Sequence, residues 1–208
     1  MRGKDTMTDT DVKIYGDPIC PFTWVTSRWL TSAAEHSDVR VTWRLMSLAV
    51  LNEDQDADDA QAARLQTSRR IGRLVAAATG TEDFGELYTA LGRRLHAEGN
   101  ELTDELAREA LSECGLEPSL VSAMDDESWD DAVRAAHQRS QDALGDSGGS
   151  PITVVNGRAF FGPVLTEIPA PEEAVRLFGG FTALASSPAF AQVERPKSGP
   201  PNMHEAPA

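Results

Sequence analysis

The chemistry of this chain starts from one cysteine. In Asp17-Pro18-Ile19-Cys20-Pro21-Phe22-Thr23-Trp24, two prolines flank a sulfur at the corner where a strand gives way to a helix. Pro21 suits the first helical position, where its missing N–H is no loss. A thiol attacks disulfides and electrophiles only as the thiolate, and a helix N-terminus favours that charge through its unpaired N–H groups and dipole. Cys20 therefore reads as a reactive nucleophile rather than a small apolar residue closing a strand. Thr23 stands one turn further on, where its hydroxyl is placed to donate to the sulfur. The other cysteine, Cys114, falls on an apolar helical stripe and reads as a buried structural thiol. Phe22, beside the sulfur, is a candidate ligand contact. Trp24 suits the core first and a cleft wall second.

The elements that position this sulfur are legible as patterns. Val12 and Ile14 alternate with Lys13 and Tyr15 in a strand ending at Gly16, and Pro21 to His36 reads as a helix with Val25, Trp29 and Ala33 on one face. Val39, Val41, Trp43 and Leu45 then alternate with polar residues in a second strand. Strand, helix, strand at this length predicts a parallel pair with a right-handed crossover. From about Asn52 to Gly145 the periodicity is helical: Ile71-Leu74-Val75-Ala78, then Leu87-Leu91-Leu95, then Ala107-Ala110-Leu111-Cys114, then Trp129 onward. Gly80, Gly99 and Gly115 read as helix stops. Ile152 to Val155 and Arg158 to Phe161 flank Asn156-Gly157, the favoured dipeptide of a two-residue hairpin. A last helix spans roughly Pro171 to Ala185. The reading is an α/β core at 11–51 and 146–190, an all-helical cap at 52–145, and a Pro-, Gly- and Ser-rich tail at 191–208 expected to be flexible.

Composition narrows the partners. With 19 Lys and Arg against 33 Asp and Glu, the formal charge is −14 in 208 residues. A basic surface for nucleic acid or an anionic membrane is excluded on that balance. The first thirteen residues lack the apolar stretch of a signal peptide, and no run reaches the roughly 20 apolar residues needed to cross a bilayer. Two cysteines are too few for a disulfide scaffold, so a reduced, cytoplasmic setting is the expectation. Gly145-Asp146-Ser147-Gly148-Gly149 carries a nucleophile-elbow pattern, but it follows a helix and precedes a strand, the reverse of what an elbow needs. Asp54-Gln55-Asp56-Ala57-Asp58 begins like a calcium loop and then fails, with Asp59 where Gly is required and Leu65 where Glu is required. The histidines have no ligand spacing, so no metal is expected.

Two segments together carry a resemblance. Asp17 to Trp24, with Gly149-Ser150-Pro151-Ile152 ahead of Val154-Val155-Asn156-Gly157, resembles the DsbA-like branch of the thioredoxin superfamily. That branch has a thioredoxin fold with an all-helical insertion. The resemblance implies a cis Ser150–Pro151 bond packed beside the sulfur, a geometry proline makes available. Four longer stretches are similar to the cytoplasmic mycothiol-dependent reductases, a nitroreductase among them. They are Asp17 to Trp29, Met46 to Glu53, Leu95-His96 with Gly99-Asn100, and Phe160 to Leu165. The similarity covers roughly residues 11 to 187. It points to Asn52 and His96 as contacts at the cleft. This chain departs from that family at Thr23, where the family normally has cysteine.

The expectation is a monothiol oxidoreductase or reductase. Cys20 would be the nucleophile, assisted by Thr23, with Ser150 and Pro151 as the opposite wall. Pro21, Phe22, Trp24, Asn52 and His96 would contact the substrate or a low-molecular-weight thiol such as mycothiol, which would resolve the adduct. Two other readings stay open. The kappa-class glutathione transferases share this branch and also lack the second cysteine, so conjugation or isomerisation of a small electrophile is one. Binding of a small molecule without catalysis is the other.

Overall fold

The computed structural model of the protein describes residues 10–80 and 83–204; the leader expectation for residues 1–9 and the last four residues of the tail lie outside them. Strand β1 (Thr10–Gly16) leads through helix α1 (Pro21–Glu35) into β2 (Val39–Leu45). β1 and β2 pair in parallel from Thr10 opposite Val39 to Gly16 opposite Leu45, so the helix is the crossover the pattern required. β3 (Ile152–Val155) runs antiparallel on the other side of β1, and β4 (Arg158–Phe161) pairs antiparallel with β3. The sheet order is β2-β1-β3-β4. Asn156 and Gly157 both have positive φ, 48° and 81°, which is the twist a two-residue hairpin demands.

Alternation sorts the sheet faces. Val12 and Ile14 belong to the main core with Trp29, Leu30 and Ala33 of α1. Tyr15 belongs to a smaller cluster with Met46 and Ile152, against which Leu48, Leu51 and Leu144 pack. Helix α7 (Pro171–Ser186) closes the first face. It is joined to α1 through Trp29, which is fully buried, donates from Nε1 to Ala174 O at 2.9 Å and lies 6.0 Å from the Phe178 ring.

The cap occupies the connection between β2 and β3: α2 (Leu48–Leu51), α3 (Asp59–Thr79), α4 (Gly85–Gly92), α5 (Asp104–Glu113), two 3₁₀ turns (Pro118–Asp125 and Glu127–Trp129) and α6 (Asp130–Leu144). The acidic stretch before α3 has a structural use: Asp58 caps the helix by accepting from Gln61 N at 2.8 Å. One helix departs from its expected pattern. The Leu87-Leu91-Leu95 stripe does not continue as α-helix, because Arg93–Ala97 forms a π-helical turn. The wider turn rotates the face, so Leu95 is only half buried while His96 is turned inward.

The tail is the second departure. Residues 191–204 have no helix or strand, as expected; 191–200 are exposed, while residues 201–203 touch the domain. Asn202 N donates to Thr166 O at 2.8 Å, Pro201 is buried, and Trp24 Nε1 donates to Met203 O at 3.3 Å. The tail's few apolar residues supply the anchor that its composition as a whole hides.

Candidate active site

Cys20 is the N-cap residue of α1, in extended conformation, with Pro21 starting the helix and Trp24 N closing the first turn on Cys20 O at 3.0 Å. Its side chain is buried, 6 % exposed, and no capping bond ties it to the helix. The sulfur's partner is across the site: Sγ donates to Ser150 O at 3.4 Å. The Ser150–Pro151 bond is cis, and Pro151 is buried beneath it. A second cis bond, Gly162–Pro163, had no signal in the sequence.

Thr23 lies elsewhere than expected. Its hydroxyl pairs with Ser150 Oγ at 2.6 Å, and Asp17 N donates to the same Ser150 oxygen at 2.9 Å. Its methyl fills the space above Gly16, where a Cβ would collide with it. The β-branched side chain is thereby fixed with its hydroxyl toward the wall, and the sulfur is answered by the Ser150 carbonyl instead. Cys20, Thr23, Ser150 and Pro151 do come together, but Thr23 braces the wall opposite the thiol.

Trp24 is a core residue, as its first reading had it. It is 4 % exposed, yet its indole is the hub of the site: His96 stacks on it at 5.8 Å and the Arg28 guanidinium sits 4.4 Å above it. Gly92 on the cap approaches so closely that a Cβ there would lie 2.5 Å from the ring. Pro21 and Phe22 are half buried. His96 contacts the loop itself, its Nε2–H donating to Pro18 O at 2.7 Å; since a carbonyl only accepts, Nδ1 is left as the acceptor. His96 also lines a cavity of about 420 Å³ with Ile19, Arg64, Thr67 and Asn100, between the active-site loop and the cap. Asn52 stands apart from them. Its amide donates to Leu48 O at 2.7 Å, capping its own short helix, and it is not among the residues of that cavity. Cys114 ends α5 and is half exposed in a separate groove with Trp43 and Phe84, so it is less buried than its stripe implied. Burial and the carboxylates of Glu113 and Glu86 push its thiol up, which disfavours the thiolate.

One residue of the site had been passed over. Asp17 is 1 % exposed, and its carboxylate accepts from Ile19 N at 3.0 Å, Leu48 N at 2.7 Å and the Ser68 hydroxyl. A single side chain thus fastens the cysteine loop to α2 and α3 of the cap. Asp two residues before a free N–H is an Asx-turn signal and could have been read locally. Ser68, 51 residues away, carried no such signal.

Titration separates these groups. Burial pushes the Asp17 carboxyl up despite its three donors, and pushes the rings of His96 and His137 below 6.5. A lowered histidine binds fewer protons folded than unfolded, so its contribution holds above pH 6.5 and is lost as pH falls below it. Asp17 works in the opposite sense: its contribution is complete below pH 3.8 and is lost as pH rises through its raised folded value. The histidines are therefore expected to lower the urea midpoint as pH falls below 6.5, a drop that Asp17 opposes. In His137→Leu the drop should shrink; an unaltered drop would show that His137 is not one of its sources.

Known proteins place this geometry. The chain is 32% identical over 197 residues to the uncharacterized protein Rv2286c of Mycobacterium tuberculosis, covering 91% of this chain and 83% of that protein. Among solved structures it is similar to a probable DsbA oxidoreductase, SCO1869, from Streptomyces coelicolor, with TM-score 0.56 and 20% identity over 92% of this chain and 97% of that one. It is likewise similar to the cytosolic disulfide reductase DsbM of Pseudomonas aeruginosa with GSH, at TM-score 0.53 and 17% identity, covering 83% and 99% of the two chains. A 2-hydroxychromene-2-carboxylate isomerase gives TM-score 0.57 at 13% identity, covering 84% and 95%. These likenesses establish the thioredoxin fold with its helical insertion. The model of the Rv2466c-like family, described as mycothiol-dependent nitroreductase Rv2466c, matches residues 19–195. The chain belongs to that family of thiol-dependent oxidoreductases.

Proposed function

We propose that the protein is a monothiol oxidoreductase in which Cys20 forms a mixed disulfide that a low-molecular-weight thiol of mycothiol type resolves. The observation that carries the reading is a thiol at the N-cap of α1, opposed by the Ser150 carbonyl, with Thr23 where a second sulfur would stand. The thiolate of Cys20 attacks one sulfur of a small disulfide substrate; that S–S bond breaks and the other half leaves as thiolate. A second thiolate, from the co-substrate, then attacks the mixed disulfide and returns Cys20 as thiolate, so the disulfide is carried over to the co-substrate. The cavity with Arg64, Thr67, His96 and Asn100 offers a guanidinium, a hydroxyl, an imidazole and an amide, a donor and acceptor set that suits a hydroxyl-rich, sugar-based thiol. Asp17 and His96 hold the loop still while the sulfur changes partners. A cytoplasmic setting, where such thiols are kept reduced, goes with this reading.

Intact mass spectrometry tests it. After incubation with the oxidised thiol, Cys20 should carry one equivalent as a mixed disulfide, released by excess reduced thiol. An unmodified protein there, with a thioether or an isomer formed when reduced thiol and a small electrophile are supplied, would assign the site to transferase or isomerase chemistry instead.

A further inference from the structure

We infer that the tail is a wall of the active site and that, with the turn after β4, it forms a subsite for a small aromatic anion. The inference rests on Cys20 as the nucleophile. A pocket of about 210 Å³ lies between Phe161 and Pro163 on one side and Val193, Arg195 and Lys197 on the other. It adjoins the cysteine site through four contacts. The Phe161 ring lies 3.4 Å from where a Cβ on Gly149 would be, one residue before the carbonyl that accepts from Cys20. Gly162 N donates to Pro151 O, and Thr26 on α1 donates to Pro163 O, each at 2.8 Å. From the other side, the Lys197 ammonium sits 5.9 Å over the ring of Phe22, two residues beyond the sulfur.

The lining states the ligand chemistry. Phe161 and Val193 are 54 % and 78 % exposed, large apolar surfaces left to water on opposite walls of one pocket. Lys197 is matched by Glu194 at 4.0 Å. Arg195 has no hydrogen bond or ion pair among the described residues, although the protein as a whole carries a formal charge of −14. A guanidinium presents a planar fork to a carboxylate, and in a molecule this acidic it draws an anion to one place while the remaining surface repels it. The volume is below the roughly 300–1,000 Å³ of drug-sized sites, which fits a single substituted ring.

The reaction of Cys20 with two aromatic disulfides reads the subsite directly. Dithiobis(nitrobenzoate) carries carboxylates and dithiodipyridine is neutral; the Cys20 thiolate attacks one sulfur of either, and the other half leaves as a coloured nitrothiobenzoate or, after protonation, as an ultraviolet-absorbing pyridinethione. Rates are measured on full-length Cys114→Ser protein, so that one sulfur reports. Arg195→Ala should lower the ratio of the anionic to the neutral rate constant about fivefold, the size of an exposed charge contact, and Arg195→Lys should restore most of it. Arg108→Ala removes the same charge from α5 and should leave the ratio where it was. An unchanged ratio in Arg195→Ala, or an equal fall in Arg108→Ala, overturns the subsite while leaving the nucleophile intact. Failure of both reagents to label Cys20 overturns the nucleophile, and the subsite with it.

Discussion

Cys20→Ser is expected to lose turnover by at least about 10³, and Thr23→Cys to change the cycle rather than its rate. A serine hydroxyl carries no useful anion at neutral pH and forms no disulfide, so neither half of the exchange survives. Cys114→Ser should stay within about twofold of the parent, since that thiol is held protonated beside Glu113 and Glu86 and lines a different groove. Thr23 is fully buried one turn beyond the sulfur, so a cysteine there stands where an internal disulfide with Cys20 can close. The oxidised variant should be about 2 Da lighter by mass and release its first product without added thiol. Should Thr23→Cys keep two free thiols and the parent's requirement for external thiol, the threonine is not what sets the mechanism. Loss of activity in Cys114→Ser with retention in Cys20→Ser would reverse the assignment altogether.

Trp29→Ala is expected to remove about 3–5 kcal/mol of stability. Domains of this kind hold only about 5–15 kcal/mol, so the loss is a large share of the total. Trp29 is fully buried: it is sealed between α1 and α7, its ring against Phe178 and Phe181 at 6.0 and 6.1 Å. Truncation opens a cavity and withdraws the donor from Ala174 O. Trp29→Phe keeps most of the packing and should cost about 1–2 kcal/mol less than the alanine variant. Urea unfolding measures both. A cost under about 1 kcal/mol for the alanine variant would show that this seam is not what holds α1, and hence the cysteine corner, in place.

Much of this was legible in the chain. The βαβ unit and the hairpin follow from period-two runs, Pro21 and Asn156-Gly157, because strand alternation and turn chemistry are local. The cysteine's place at the helix start was legible for the same reason: Cys20 and Pro21 define an N-terminus by themselves. Elements failed to show where the deciding contact is distant. The π turn that turns His96 inward depends on a carbonyl in the Pro18 loop, 78 residues away. Thr23 was aimed at the nearest sulfur, but its partner comes from residue 150. Asn52 was read as a cleft residue at a domain junction, and a carbonyl four residues back satisfied it first. In the tail, abundant Pro, Gly and Ser concealed the few residues that dock.

The groups that shelter the sulfur also set when it is sheltered. The bonds from Ser150 to Asp17, Cys20 and Thr23 span 133, 130 and 127 positions of the chain. Contacts of such separation form late, because the intervening chain must be ordered or looped before they close. A newly made polypeptide therefore carries Cys20 as a bare thiol throughout synthesis of the cap, and gains its carbonyl partner only when β3 slots in beside β1. Closure of the site and closure of the sheet are therefore one event in the chain's assembly.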